Sequence, residues 1–278
     1  MLLVAKRAGP TSHDVVDLVR RALGMSRVGH LGTLDPFAAG LLVVIVGRAT
    51  RLAPFSAAWR KSYEGVIRLG TITTTDDPMG ERVQQTDAWR GIDRGAVEAA
   101  FAGFRGPIRQ RPPAHSAVKV AGERAYRRAR RGEVVVLADR PVEIVELTLT
   151  DFTPPDVTFR ATVSGGTYLR SLARDVGAAL ECGAYLAALT RMAVGPFSLA
   201  EARPPEIVTA ADLRPAALLV SDLPRRALGA GERDAVVHGR PLPAIDAADR
   251  VALFAGEELV AVGERSGDVV KPRVVVAD

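Results

Sequence analysis

Val28-Gly29-His30-Leu31-Gly32-Thr33-Leu34-Asp35-Pro36-Phe37-Ala38-Ala39-Gly40-Leu41-Leu42-Val43-Val44-Ile45-Val46 joins two kinds of sequence. Residues 28–40 are punctuated by glycine and carry one histidine and one acid, which is the pattern of a loop. Leu41 to Val46 is unbroken apolar sequence, too short for a buried helix, and reads as a strand buried on both faces. Pro36 restrains Asp35 to extended backbone, while Gly29 and Gly32 permit tight turns or close approach of a ligand. A loop leading into a buried strand is a place to look for chemistry. Asp-Pro is also a common turn, and a lone histidine such as His30 is more often structural, so these residues alone leave both readings open.

Upstream, Leu2 to Ala5 reads as a strand, and Ser12 is placed to cap a helix. Val15, Val16, Val19, Ala22 and Leu23 recur there at helical spacing, and Gly24 stops it. Downstream, Tyr63, Gly65, Ile67 and Leu69 share one face of a strand, with Glu64 and Arg68 on the other. Asp93 is expected to begin a helix running to about Phe104, and Pro141 to Val163 is strand-like around Pro154-Pro155. Leu169, Leu172, Ala173, Val176, Ala179 and Leu180 mark the core face of a further helix. Beyond Pro204-Pro205 short apolar runs (Val251–Phe254, Leu259–Val262, Val274–Val276) alternate with turns, the texture of a small β-rich unit. The fold class is therefore α+β, with a mixed sheet in residues 1–204 and a second unit in 205–278.

A chain of 278 residues exceeds the roughly 100–200 of a typical domain, and 47% hydrophobic with 25% charged residues is ordinary globular composition. Cys182 is the only cysteine, which rules out an internal disulfide and a multi-cysteine zinc site. The histidines at 13, 30, 115 and 238 show no ligand-type pairing, so nothing points to metal-dependent hydrolysis. The apolar start is too short for a signal h-region and no run approaches the ~18 residues of a membrane span, so a cytoplasmic protein without membrane contact is expected.

The formal charge of +5 is unevenly spread. Nine basic residues between Arg105 and Arg131 face one acid, Glu123, giving +8 there and leaving −3 for the rest. Residues 205–278 hold nine basic and twelve acidic groups, again −3. The basic stretch is either a solvated surface or a phosphate-binding stripe.

Longer motifs bear on that choice. Thr11-Ser12-His13-Asp14-Val15-Val16, then Val28 to Pro36 and Gly40-Leu41-Leu42, resemble the signature of the TruB family of transfer-RNA pseudouridine synthases. The likeness continues in order through Gly47-Arg48-Ala49-Thr50, Lys61-Ser62-Tyr63, Leu69-Gly70, Pro112 to Lys119, Gly122, Ala125-Tyr126, Ala129-Arg130 and Gly166 to Gly177. It spans roughly the first 195 residues. The resemblance implies a cofactor-free isomerase that converts uridine 55 in the T-loop of tRNA to pseudouridine, on a mixed-sheet catalytic domain. It implies that Asp35 is the catalytic carboxylate, acting ionised whether it attacks the sugar or takes the 2′ proton. Arg170 would pair with Asp35 and lower its pKa. Tyr63 would stack on the target base and handle the C5 proton, Tyr168 and Leu189 would line the pocket, and His30 would fill the space left by the extruded base. Lys119, Arg127, Arg128 and Arg130 become candidate RNA contacts, the partner being the tRNA T-arm. A monomer with no obligatory protein partner is expected.

The chain departs from the family pattern at Lys6-Arg7-Ala8-Gly9-Pro10, at Ala39 in place of threonine, and at the bulkier Phe37. Gly239-Arg240-Pro241-Leu242 and Val270-Lys271-Pro272-Arg273-Val274 resemble a PUA-like C-terminal domain. Two rivals are an RNA-folding chaperone on the same fold and a guide-RNA-dependent synthase. Asp35 argues against the first, because a carboxylate beside RNA phosphates repels its ligand.

Overall fold

The computed structural model describes residues 1–116, 118–120, 122–245 and 247–277, without the side chains of 119, 120, 124, 129 and 130. The chain opens with β1 (Leu2–Lys6) and helix α1 (Ser12–Leu23). Thr11, and not Ser12, caps α1: its hydroxyl accepts from the Asp14 amide while the Asp14 carboxylate accepts from the Thr11 amide. Ser12 is instead buried, and its hydroxyl both donates to Leu34 O (2.9 Å) and accepts from Leu34 N (2.8 Å), fastening α1 to the loop before Asp35. Val15, Val16 and Val19 pack under the sheet as expected, whereas Ala22 is exposed, and Gly24 closes the helix in the left-handed region.

Val28 to His30, read as loop, is a short strand β2 that pairs antiparallel with β3 (Ala39–Val46). Leu41 to Ile45 of β3 are buried, as their unbroken apolar run required, while Val46 at the end of that run is half-buried. Then come β4 (Lys61–Leu69), the hairpin of β5 (Thr71–Thr73) and β6 (Arg82–Gln85), helix α2 (Arg94–Phe104, capped by Asp93) and β7 (Gly106–Gln110). The basic arm contains β8 (Lys119–Val120), β9 (Glu123–Arg124) and α3 (Ala125–Arg130). A long hairpin, β10 (Arg140–Thr153) and β11 (Asp156–Val163), leads to α4 (Leu169–Ala179), β12 (Ala184–Val194) and β13 (Phe197–Ser198). Leu169, Leu172, Ala173 and Val176 of α4 enter the core, but Ala179 faces solvent.

The main sheet runs β1-β3-β12-β4-β11-β10-β7, with β2 on β3 and β13 on β12. All its pairings are antiparallel except β12 with β3, which meet in parallel only at Thr190 with Ala39 and Arg191 with Gly40. Gly40 is obligatory at this joint. Its φ is +113°, and a Cβ there would stand 2.3 Å from Arg191 O. Helices α2 and α4 cover one face through Phe101, Ile67, Phe159 and Leu172.

Residues beyond 204 form a second sheet, β14 (Arg225–Ala227), β16 (Arg250–Ala255), β17 (Glu258–Ser266), β18 (Val269–Val275) and β15 (Leu242–Pro243) in that order, with α5 (Glu232–Val237) packed on it. It is not loosely tethered: Met1, Leu3, Leu41 and Val43 share one apolar cluster with Leu219, Ala252, Phe254 and Leu259.

Candidate active site

The parallel joint is where the sheet has to admit a crossing chain, and the loop carrying Asp35 enters β3 there. Two buried cations hold that loop. The Lys6 ammonium, 2% exposed, donates to the carbonyls of Arg7 (3.0 Å), Asp35 (3.2 Å), Pro36 (3.3 Å) and Ala38 (2.6 Å). Burial pushes that ammonium down to about 8. Arg191, 1% exposed, donates to the carbonyls of Leu41 (2.8 Å), Gly32 (3.0 Å) and Thr33 (3.3 Å). With Ser12 on Leu34, every peptide from Gly32 to Pro36 has a fixed partner, so Asp35 projects from a rigid turn.

Asp35 opens into a cleft of about 570 Å³ whose walls include Tyr63, Leu189, Tyr168, His115, Asp77 and Arg170. Arg170 lies in the first turn of α4 but is 5% exposed, not a surface arginine. Its Nε lies 2.9 Å from Asp35 Oδ2, and its Nη2 donates to Asp35 Oδ1 (3.3 Å) and to His115 O (2.9 Å). Nη1 donates to Thr75 O (2.9 Å) and lies 3.5 Å from the buried Asp77 carboxylate. One guanidinium thus joins the Asp35 loop, the tip of the β5–β6 hairpin and the segment after β7. A planar, permanently charged fork is suited to such a junction.

Arg170 lowers the Asp35 pKa as expected, but it does not set the net direction. Burial raises the carboxyl above its ordinary range by more than Arg170 lowers it, and the nearby Asp77 carboxylate adds to the rise. Burial likewise raises the Tyr168 phenol. Gln110, 2% exposed, fixes the Tyr168 backbone by accepting from its N (2.9 Å) and donating to its O (3.1 Å).

Asp35, Tyr63, Arg170, Tyr168 and Leu189, separate in sequence, therefore share one cleft. His30 does not line it. It lies on β2, where burial foremost lowers its pKa. Arg127 is exposed on α3, and Arg128 pairs with Glu133 (2.6 Å). The side chains of Lys119 and Arg130 lie outside the described residues. The local excess of +8 is smaller in effect than its count, since Glu133, outside that stretch, binds Arg128 and Arg131, and Asp139 binds Arg111 (3.2 Å).

Sequence reasoning gave no role to Lys6, Lys61, Asp77 or Arg191. For Arg191 a signal existed, because it shares inward parity on β12 with Leu189. For Asp77 there was none, since Thr75-Asp76-Asp77 reads as a polar turn.

Three comparisons bear on the arrangement. The profile of the TruB family pseudouridylate synthases (N terminal domain) matches residues 20–169. A tRNA pseudouridine synthase B of Thermobifida fusca (strain YX) is 47% identical over 100% of this chain and 98% of its own length. One from Mycobacteroides abscessus is 43% identical over 97% of this chain and 95% of its own. Among solved structures, a chain of a Cbf5-Nop10-Gar1 complex superposes with a TM-score of 0.73 at 26% identity, covering 99% of this chain and 84% of that one.

Proposed function

Because this chain belongs to the TruB family of pseudouridylate synthases, and so is an isomerase, we propose that it converts uridine 55 in the T-loop of tRNA to pseudouridine without a cofactor. The N1–C1′ bond breaks, the uracil turns, C5–C1′ forms, and the proton lost from C5 is balanced by one gained at N1. No electron leaves the nucleoside, so the protein needs only to hold the base, stabilise charge and move one proton.

The observation that carries this reading is the Asp35 carboxylate held 2.9 Å from Arg170 at the floor of the cleft that Tyr63 lines. Asp35 is the catalytic carboxylate, ionised against Arg170, acting on the sugar of an extruded nucleotide whose extrusion costs a few kcal/mol. Tyr63 stacks on the uracil and is placed for the C5 proton, while Tyr168 and Leu189 bound the base. His30, on β2 beside the loop, enters the gap in the T-arm, and Lys119, Arg127, Arg128 and Arg130 meet phosphates. Residues 1–204 form the catalytic domain and 205–278 a PUA-like domain, in a cytoplasmic monomer that works on the T-arm alone.

The test is incubation of the purified chain with unmodified tRNA transcript, without metal or cofactor, and mapping of pseudouridine at single-nucleotide resolution. Product at the T-loop uridine only is expected. Binding without product in the isolated protein would favour the guide-RNA-dependent reading, one of the two rivals the sequence leaves open. Asp35→Asn is expected to abolish product with RNA affinity within a few-fold.

A further inference from the structure

Lys61 is a charge in the cleft that the reaction above does not use. Lys61 opens β4 and has the same strand parity as Tyr63, so both side chains face the cleft. Its stem runs past Gly32, where an added Cβ would meet Lys61 Cε at 3.3 Å and Nζ at 3.9 Å. The glycine, with φ +86°, leaves the lysine its path along the Asp35 loop.

The other cations of the cleft are satisfied. Arg170 has Asp35 and Asp77, and Arg191 has three carbonyls. Among the described residues no acceptor or carboxylate lies within bonding distance of Lys61 Nζ. Its neighbour is instead Arg191, and burial together with that like charge pushes the ammonium down to about 8. A half-buried cation beside another cation gives nothing to the fold, whereas an anion entering the cleft would relieve it.

Resting on the proposed function, which supplies an RNA ligand, we infer that Lys61 is a phosphate contact inside the cleft: its ammonium takes a backbone phosphate flanking the extruded uridine and seats that nucleotide against Asp35. Phosphate contacts of this kind fix register and carry no base information. Lys61 thereby acts on binding and placement, distinct from the basic arm, which meets the RNA outside the cleft. The charged groups around it are Arg191 from β12, Asp35 from the loop and, across the cleft, Arg170 and Asp77. Lys6, also lowered to about 8, is sealed behind the loop.

The test is equilibrium binding of an unmodified T-arm hairpin to the full chain with Lys61, Lys61→Ala, Lys61→Gln or Lys61→Arg, all in an Asp35→Asn background so that substrate persists. Affinity is followed from 50 to 300 mM salt and from pH 7 to 9, with single-turnover rates measured in the Asp35 chain. Lys61→Ala and Lys61→Gln are expected to bind about tenfold more weakly, with a log–log salt slope shallower by about 0.7–0.9, the value for one phosphate. Rates at saturating RNA stay within a few-fold. With lysine, affinity is expected to fall about fivefold from pH 7 to 9 as the free ammonium deprotonates, towards the tenfold loss of the neutral variants, because the bound form favours the charge. Arginine, which does not titrate, keeps affinity and loses that pH dependence, while any contribution of Lys6 remains in both.

An unchanged affinity and slope in a folded Lys61→Ala overturns the inference. So does a collapse of the saturated rate with affinity intact, which would place Lys61 in the chemistry. Should Lys61→Ala not fold, Lys61→Arg with the pH dependence of lysine overturns it equally. Tight binding without pseudouridine would sink the proposed function alone, because the binding comparison does not need turnover.

Discussion

Replacing Arg191 with methionine tests whether the Asp35 loop is held from behind. The guanidinium is almost wholly buried and donates three hydrogen bonds, at 2.8, 3.0 and 3.3 Å, to carbonyls of Leu41, Gly32 and Thr33. Hydrogen bonds to a charged donor contribute about 1.5–3 kcal/mol each, so the gross loss is about 5–9 kcal/mol. Against that, methionine removes a cation buried without a carboxylate, whose desolvation costs several kcal/mol. The net destabilisation expected is about 3 kcal/mol, or a melting temperature lower by about 6–12 °C at about 2–4 °C per kcal/mol. Single-turnover rate is expected to fall at least tenfold, which requires only about 1.4 kcal/mol of lost placement at Asp35. Because Arg191 also depresses the Lys61 ammonium, the variant should move the alkaline fall in RNA affinity to higher pH. Calorimetry and rapid-quench turnover are the assays. A variant melting within about 2 °C of the parent, with full rate, would refute the claim that Arg191 fixes the loop.

Four further substitutions probe neighbouring links. Asp77→Asn removes a carboxylate that raises the Asp35 pKa. Since turnover needs ionised Asp35, the acid limb of kcat/KM should move to lower pH, even as the maximal rate drops from a looser Arg170; a limb that stays or moves up would contradict the assignment. Ser12→Ala orphans both backbone groups of Leu34. It should cost about 2–4 kcal/mol by denaturant titration, and a loss under about 0.5 kcal/mol would mean the loop finds other partners. Arg127→Ala should make the salt slope of tRNA binding shallower by nearly one phosphate, whereas Arg128→Ala should change it less, because Glu133 already compensates Arg128. Equal slopes for both variants would show that this ion pair opens on binding.

The strands and helices were legible because their apolar spacing is dictated by which face is covered, as in β3, β4 and α4. Helix ends were less so. Thr11 and Ser12 are chemically alike, and only the tertiary contact of Ser12 with Leu34 decides which one caps. Val28 to His30 reads as loop because its glycine hides a strand that exists only by pairing with β3. At the site, the family likeness supplied Asp35, Tyr63 and Arg170, which the residues alone could not rank above turn, core and surface. Lys6 and Arg191 escaped notice because they bond to carbonyls, and a carbonyl acceptor leaves no complementary residue type in the sequence to search for. The net direction of the Asp35 shift was not legible for a related reason: Arg170 lowers it, but burial and the approach of Asp77, which raise it, are properties of the assembled cleft.

The seam between the two sheets has a consequence for synthesis on the ribosome. Ala5 N donates to Arg203 O and Arg203 N donates to Leu3 O, and the outer face of β1 is covered by Leu219, Ala252, Phe254 and Leu259. Leu3 leaves the exit tunnel about 200 residues ahead of Arg203, an interval of roughly 10–40 s at about 5–20 residues/s. Through that interval β1 and β3 present Leu3, Leu41 and Val43 without their eventual cover. A nascent chain stalled near residue 204 should therefore be a good holdase client, and its release should coincide with emergence of β16 and β17.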